Sequence, residues 1–427
     1  MRPVATSAIG GTRLRIPFSL PACLVFCALA ALILNPLFGA RAAFVFLSFG
    51  GLLLVSQPAY SINALLKYRL LLILPAFCAL SVLWSQFPGQ TLRYSIQLGI
   101  TFCIAIAIAT RVAPATLLRC LYAIYSIGIY GSILFGRVRD DNGAWVGIFG
   151  SKNAFAAIVT GFALTSLALM LDRNAARPLR LLAFATGALS LPLFLVAQST
   201  GSIVFMVPAA VAVVGVMIAR HLSWAQKLLI GLLVVLLTTA GLIMLVYFGD
   251  ELLSTFLDYS GKDATLTGRT DLWASAFDLI AERPLLGLGY QAFWVHGFGP
   301  AEELWAMFGI ESRSGFNFHN TYISNAVEIG IVGVALQVAV IYGTFIGIMR
   351  WALAVPSAES AYLVGFLTLL IGTTFIEVGV FFQFSIATII VVCASVYAMR
   401  YQEWRRAQAV HSSQEPAQCR SHPLLPS

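Results

Sequence analysis

Apolar runs of about 16 to 22 residues recur along the whole chain, and one long polar stretch, between Gly249 and His319, interrupts them. Backbone polar groups must be satisfied within the chain in hydrocarbon, so runs of this length predict membrane-spanning helices. We expect about twelve spans. They fall near residues 17–37, 42–57, 70–85, 94–111, 114–135, 154–171, 179–197, 202–219, 228–248, 320–349, 361–378 and 382–399.

This pattern predicts an all-α polytopic membrane protein that is divided by its polar stretch. Residues 1–248 would hold spans one to nine, 249–319 a large, partly helical outward loop, 320–399 spans ten to twelve, and 400–427 a cytoplasmic tail. The composition agrees, because 10% of the residues are charged, against about 25% in soluble domains. A soluble enzyme is therefore excluded.

The placement of Lys and Arg indicates the orientation. With the N-terminus inside, the inner segments hold 17 of the 26 basic residues, and the outer segments hold nine. Cytoplasmic loops carry the excess of Lys and Arg, so both termini are expected in the cytoplasm. The basic tail is then a topology anchor and not a nucleic-acid-binding arm. The seven Cys form no CxxC pair and no cluster with His, which argues against a disulfide or zinc framework.

The outward loop holds ten of the 18 carboxylates and contains a helical pattern over residues 270–282. Apolar residues recur there at steps of three and four, opposite a polar stripe, and this predicts an amphipathic helix along the membrane surface. Thr267 or Gly268 can cap its start, and Pro284 ends it. The apolar stripe consists of Leu272, Trp273, Ala276, Phe277 and Ile280.

Arg269 lies in the first turn of this helix. A helix N-terminus offers free N–H groups and a guanidinium offers a bidentate fork, so together they can bind a phosphate. The alternative is a solvated surface arginine, or one paired with Asp271.

His319 stands at the entry to span ten and is followed by Asn320, Thr321 and Tyr322. A helix N-terminus disfavours a positively charged imidazole, so we expect a neutral ring that can accept a proton. An interfacial or capping histidine is the alternative. His296 is interpreted as a loop contact.

Two further outward features could serve an anionic substrate. Lys152-Asn153 heads span six and would supply either a second cation above the same cavity or an interfacial anchor. Asp140-Asp141 could bind a divalent metal with a phosphate, but adjacent carboxylates project differently and no further ligand is evident. Glu328 and Glu377 are the exceptions to an almost uncharged set of spans, and this argues against an ion pump.

These elements, in order, carry a resemblance to a known family. Residues 147–153 (Gly-Ile-Phe-Gly-Ser-Lys-Asn) are followed by 268–273 (Gly-Arg-Thr-Asp-Leu-Trp), by 284–290 (Pro-Leu-Leu-Gly-Leu-Gly-Tyr) and by 319–322 (His-Asn-Thr-Tyr) with Gly330 and Gly333 downstream. Over residues 145–345 the chain resembles the superfamily of O-antigen ligases and Wzy-type polymerases, and the succinoglycan-type exopolysaccharide polymerases within it. Ligases of that family often carry another arginine after the seventh span, where this chain has Gln-Ser-Thr-Gly-Ser at 198–202. The difference favours the polymerase branch.

The resemblance implies a GT-C-like fold and a membrane glycosyltransferase of the bacterial inner membrane. It would polymerise oligosaccharide repeat units, carried on undecaprenyl pyrophosphate, into exopolysaccharide or O-antigen at the periplasmic face, with inversion and without a metal or other cofactor. Arg269 would hold the pyrophosphate and His319 would act as the base on the acceptor glycan. Substrate-binding roles would fall to Lys152, Asn153, Asn320 and Tyr322. A flippase and chain-length or export proteins are the expected partners, besides the bilayer.

Other functions stay open at this stage. A ligase would use the same chemistry to transfer finished glycan to lipid A-core. A flippase or transporter would be expected to show internal repeats, helices broken in mid-membrane and charged residues within spans, of which the sequence gives little sign. A scaffold of an export complex is a further alternative.

Overall fold

The computed structural model describes residues 19–140, 143–233, 236 and 267–414, and these are almost entirely helical. A small antiparallel hairpin joins β1 (Arg137–Val138) to β2 (Trp145–Gly147). Single 3-10 turns cover Gly39–Arg41, Arg69–Leu72 and Ser81–Leu83. The α-helices are α1 Leu20–Ile33, α2 Asn35–Phe38, α3 Ala42–Val55, α4 Pro58–Lys67, α5 Ile73–Leu80, α6 Pro88–Arg111, α7 Pro114–Phe135, α8 Lys152–Met170, α9 Arg177–Ala197, α10 Thr200–Ala219, α11 Trp224–Leu233, α12 Thr267–Glu282, α13 Gly299–Met307, α14 Thr321–Ala354, α15 Ala358–Thr373 and α16 Ile386–Gln414.

Seven helices within the described residues are long and apolar enough to cross a membrane, or eight if a bent pair forms one span. That pair joins α4 to Arg69–Leu83 at an angle of 77°. The prediction of an all-α membrane protein is therefore confirmed. The count of twelve spans stays a prediction, because most of predicted span nine, residues 249–266 and Asp141 lie outside the described residues.

The last two spans differ from their predicted limits. α15 ends at Thr373 and α16 begins at Ile386, so the predicted ends at 378 and 382 are wrong. Phe381 and Phe384 adopt positive φ of 63° and 57° between the two helices, and non-glycine residues in this conformation do not continue a right-handed helix. Glu377 consequently lies in the connecting segment. α16 continues past Met399 to Gln414.

The helices define two faces of the molecule. The start of α6 contacts the segment before α13 through the Phe87 and Phe298 rings, 5.9 Å apart, and Tyr290 Oη donates to the carbonyl of Phe381 ahead of α16, at 2.8 Å. We call this end of the bundle, where α14 also starts, the site face. The 22 residues of α7 run back to it, a rise of roughly 33 Å. Lys152, at the start of α8, therefore lies on the site face.

α14 is broken near its start. Gly330 has φ 64° and ψ −176°, which is far from helical. A continuous helix would join the N–H groups of Ile331 and Val332 to the carbonyls of Val327 and Glu328. The break leaves these four backbone groups without their intrahelical partners, and each such group is costly in an apolar surrounding.

A loop segment, residues 284–291, satisfies all four groups. We call it the clasp. Glu328 adds a side-chain contact, because its Oε2 accepts the backbone N–H of Gln291 at 3.0 Å. The clasp is therefore part of the buried structure of α14. Its backbone bonds are Ile331 N to Pro284 O (2.9 Å), Val332 N to Leu285 O (3.3 Å), Leu288 N to Val327 O (3.0 Å) and Gly289 N to Glu328 O (2.7 Å).

One glycine in the clasp and one in α14 allow the two backbones to lie close together. A Cβ at Gly330 would overlap the carbonyl of Leu285, and one at Gly287 would overlap the backbone of Glu328. Gly287 also has a positive φ of 67°, which favours glycine. The sequence motif 284–290 and Gly330 thus form one contact.

Candidate active site

His319 immediately precedes α14, and its backbone is fixed on both sides. It adopts φ 49°, an uncommon left-handed conformation for a residue with a Cβ. Its N–H donates to Asn317 Oδ1 at 2.7 Å, and Asn320 caps the helix that follows by accepting from the N–H groups of Tyr322 and Ile323. The imidazole is therefore held at a helix entry in a defined orientation.

A carboxylate lies beside the imidazole. His319 Nδ1 is 3.6 Å from Glu377 Oε2, and the side chains are 29% and 43% exposed. Nδ1 itself is buried and makes no hydrogen bond among the described residues. The exposed surface of the side chain therefore belongs to the other ring atoms, among which is Nε2. Catalytic hydrogen bonds are often long without substrate and tighten on binding.

The residues after His319 connect α14 to the segment that carries Glu377. Thr321 donates through Oγ1 to the carbonyl of Glu377 at 2.7 Å, and Asn320 Nδ2 donates to the carbonyl of Phe375 at 3.2 Å. The hydroxyl of Tyr322 contacts other hydroxyls of α14 and the end of α15. These contacts give Asn320 and Tyr322 a positioning role, and substrate contact by either stays a prediction.

Arg269 enters the site through α12, which packs against α14. Trp273 Nε1 donates to the carbonyl of Phe318 at 2.7 Å, one residue before His319. Arg269 is one turn earlier on the same face of α12, about 6 Å along the helix. It is half-buried. The sequence predicted this helix three residues shorter at its start.

An aromatic cluster holds α12 and the loop in place. Its rings contact one another within one hydrophobic cluster. Leu272 and Ala276 of α12 pack against these rings and are almost fully buried, with 1% and 0% of their surface exposed. Phe277, which belongs to the apolar stripe that was expected to face the membrane surface, is 56% exposed. The cluster supports the loop next to His319. It consists of Phe293, Trp294, Phe298, Trp305, Phe316 and Phe318.

Lys152 and Asn153 lie on the site face at the first turn of α8, whose start is capped by Ser151. Among the described residues, neither makes a hydrogen bond or ion pair to α12 or α14, so their predicted substrate role stays a prediction. Gly147 of the same motif packs against Ser132 of α7, and this gives the motif a structural function.

The start of α10 also reaches this region. Gly201 lies against Ile376, the neighbour of Glu377, since a Cβ at Gly201 would be 3.2 Å from its Cδ1. The segment at which related ligases often carry an arginine is therefore next to the His319–Glu377 pair. Within the described part of the chain, no group of three or more His, Cys, Asp and Glu is placed to hold a metal.

The arrangement combines the His319 imidazole, the Glu377 carboxylate and the half-buried Arg269 of the neighbouring helix α12. A carboxylate at one ring nitrogen orients the imidazole and stabilises the imidazolium that forms when the other nitrogen takes a proton. A guanidinium in such a place suits an anionic leaving group.

Fold and site define a polytopic membrane protein with an imidazole–carboxylate pair at one face of its helical bundle. The chain belongs to the O-antigen ligase family. A family model described as O-antigen ligase matches residues 185–338, a range that contains Arg269, the clasp and His319. The chain is also 32% identical over 315 residues to the exopolysaccharide production protein ExoQ of Rhizobium meliloti (strain 1021), covering 71% of each chain. Family membership supports a role in polysaccharide polymerisation or ligation on a lipid-linked glycan.

Sequence reasoning did not assign a role to Glu377. Its position near the outer end of a predicted span was visible, but no motif joins it to His319, 58 positions earlier. The pairing depends on the antiparallel packing of α14 and α15, which brings Thr321 N within 2.8 Å of Thr374 O.

Proposed function

We propose that this chain polymerises undecaprenyl-pyrophosphate-linked oligosaccharide repeat units into exopolysaccharide or O-antigen at the periplasmic face of the inner membrane. The observation that carries the proposal is the contact between α12 and the residue before His319, which supports an arginine and a histidine acting on one substrate. Similarity to an exopolysaccharide production protein favours the polymerase over other members of the family.

The reaction is one inverting displacement. The acceptor hydroxyl gives its proton to His319 Nε2 while its oxygen attacks C1 of the donor sugar. The C1–O bond to the pyrophosphate breaks, and undecaprenyl pyrophosphate leaves with the electron pair. Arg269 stabilises the charge that develops on the phosphate through its bidentate fork. No metal is required in this scheme, because the leaving charge is met by fixed protein donors.

Glu377 has a positioning role in this mechanism. Its carboxylate faces Nδ1, so it holds Nε2 towards the substrate and stabilises the imidazolium during transfer. Lys152 would add a second positive charge on the site face, in place of the arginine that related ligases carry near Gly201.

A ligase that transfers finished glycan to lipid A-core is the second candidate, because the matching family model is described as O-antigen ligase. Both activities share the donor and the residues above, and they differ in the acceptor.

The test uses the purified full-length protein with a lipid-linked repeat unit. Two samples, with and without EDTA, lack lipid A-core, and a third sample contains it. We expect a ladder of growing glycan in both samples. Product that appears only when lipid A-core is supplied would identify the ligase. An absence of glycosidic product in every arm, with His319 intact, would contradict an enzyme and favour a transporter.

A further inference from the structure

A cavity lies at the end of the bundle opposite to the site face. It has a volume of about 410 Å³. Trp351, which lines it, is thirty residues beyond Thr321 on α14, or roughly 45 Å away along a helix of this length. The cavity is therefore separate from the candidate active site. Its lining residues are Thr110, Arg111, Val112, Ala113, Pro114, Trp351, Tyr397, Arg400, Tyr401 and Trp404.

The cavity is positively charged. It contains the guanidinium groups of Arg111 and Arg400 and no carboxylate among its lining residues. The Nη1 atom of Arg111 donates to Leu53 O at 3.1 Å, and that of Arg400 donates to Ala109 O at 3.0 Å. Each guanidinium has five N–H donors, so these bonds fix the groups and leave further donors for an anion. The positive end of α7 begins at the same wall, at Pro114.

Four of the other lining residues are aromatic and suit the edge of a bilayer. Trp351 and Tyr401 stack with ring centroids 6.3 Å apart, and Tyr401 is followed by Trp404 at 5.9 Å. Trp and Tyr are enriched where the hydrocarbon meets the headgroups. The wall is built from the ends of α6 and α14, the start of α7 and the middle of α16, and these helices are membrane-spanning or continue from a predicted span. A ligand bound here can thus keep acyl chains in the bilayer.

We propose that this cavity binds the phosphate headgroup of an anionic phospholipid. Two fixed guanidinium groups would hold the phosphate oxygens, and the aromatic wall would contact the glycerol backbone. Basic pockets between membrane helices on one side of the bilayer bind anionic headgroups in this way. The site would attach α6, α14 and α16 to the lipid at the face away from the candidate chemistry.

The experiment is a titration of delipidated, detergent-purified full-length protein, followed by native mass spectrometry. The probes are phosphatidylglycerol, phosphatidylcholine with the same acyl chains, and soluble glycerol 3-phosphate. We expect phosphatidylglycerol to bind most tightly, and Arg111→Gln or Arg400→Gln to weaken it about fivefold each. Arg405→Gln is the matched control, because Arg405 is exposed on α16 outside the cavity.

Three results would overturn the proposal or its lipid assignment. Equal binding of the two phospholipids to the wild type would overturn the proposal, and so would an equal loss in the Arg405→Gln control. Glycerol 3-phosphate that binds as tightly as phosphatidylglycerol would overturn the lipid assignment in favour of a soluble phosphate. Arg111 and Arg400 also donate to backbone carbonyls, so a variant that loses one of them can aggregate. The comparison of the three probes on the wild-type protein tests the proposal even then.

Discussion

At the residue scale, the account depends on a histidine whose two ring nitrogens have different surroundings. Nδ1 is buried against Glu377 and the rest of the ring is partly exposed. Replacement of His319 by Ala removes the base, which is typically worth roughly 10²–10⁴-fold in rate. Polymer yield from cells or purified protein should fall by that amount at a normal level of protein in the membrane. Polymer of normal length and amount from this variant would contradict the role.

Glu377 allows a finer test at the same scale. Glu377→Gln keeps the size of the side chain and loses the charge that stabilises the imidazolium, so kcat should fall by more than KM for the donor rises. Glu377→Asp should recover part of the loss. Glu359, which is also acidic but lies at the far end of α15, is the matched control through Glu359→Gln. A purely structural role would lower folded protein instead and would leave kcat per folded molecule unchanged.

His319 and Arg269 could be chosen as candidates from the sequence, because residue type and helix position favour proton transfer and phosphate binding, and those roles stay predictions. The sequence did not predict that Glu377 lies beside Nδ1 of His319. Glu377 was visible as a carboxylate near a span end, and the packing of α14 on α15 is what turns it into a neighbour of His319.

At the element scale, the broken helix α14 and the clasp are one structural unit. Gly330→Ala would place a Cβ in the carbonyl of Leu285 and keep an L-residue at φ 64°. This combination of φ 64° and ψ −176°, which essentially only glycine adopts, costs roughly 1–3 kcal/mol for other residues. We expect a clear fall in the thermal unfolding midpoint of the purified protein. Gly343→Ala is the control on the same helix, since a Cβ there meets nothing within 4 Å, and it should be neutral or slightly stabilising. Equal effects of the two substitutions would disprove the clasp.

The sequence located both halves of this unit without joining them. Residues 284–290 read as a glycine-rich motif and residues 320–349 as one long span, because each pattern is local. The hydrogen bonds between them join residues that are about forty positions apart in sequence. Only the folded chain therefore reveals that the loop completes the helix. By contrast, α12 follows directly from its 3.6-residue period and from Pro284, and its predicted end is correct.

At the scale of the whole molecule, the fold separates two polar regions by the thickness of the bundle. The site face carries His319 and the loop, and the opposite end carries Arg111 and Arg400. The positive-inside bias predicts that the second end faces the cytoplasm. A cysteine introduced at Glu303 should therefore react with a membrane-impermeant thiol reagent in intact spheroplasts, and one at Arg405 only after permeabilisation. Both positions are exposed. Labelling of both from the same side would contradict the orientation.

The all-helical membrane architecture could be predicted from hydropathy because long apolar runs have few alternatives in a bilayer. Hydropathy located the limits of the spans less accurately where aromatic residues, and not charged ones, follow the end of a helix. Between α15 and α16 the apolar run continues, yet Phe381 and Phe384 leave the helical conformation and the Thr388 hydroxyl accepts from the N–H of Phe381 at 2.8 Å. Tertiary hydrogen bonds decide that boundary, and hydropathy does not register them.

The central claim is that Arg269 binds the donor phosphate while His319 performs the proton transfer on the same bound substrate. Its most direct test measures donor binding and turnover separately, with purified protein and a lipid-linked repeat unit. His319→Ala should bind the donor within about twofold of wild type and give almost no product, since a general base contributes to the chemical step. Arg269→Lys should lose about tenfold or more in donor affinity, because the charge remains and the bidentate fork is lost. Arg283→Lys, at the other end of α12, should behave as wild type. Normal turnover by His319→Ala, or normal donor affinity in Arg269→Lys, would contradict the account.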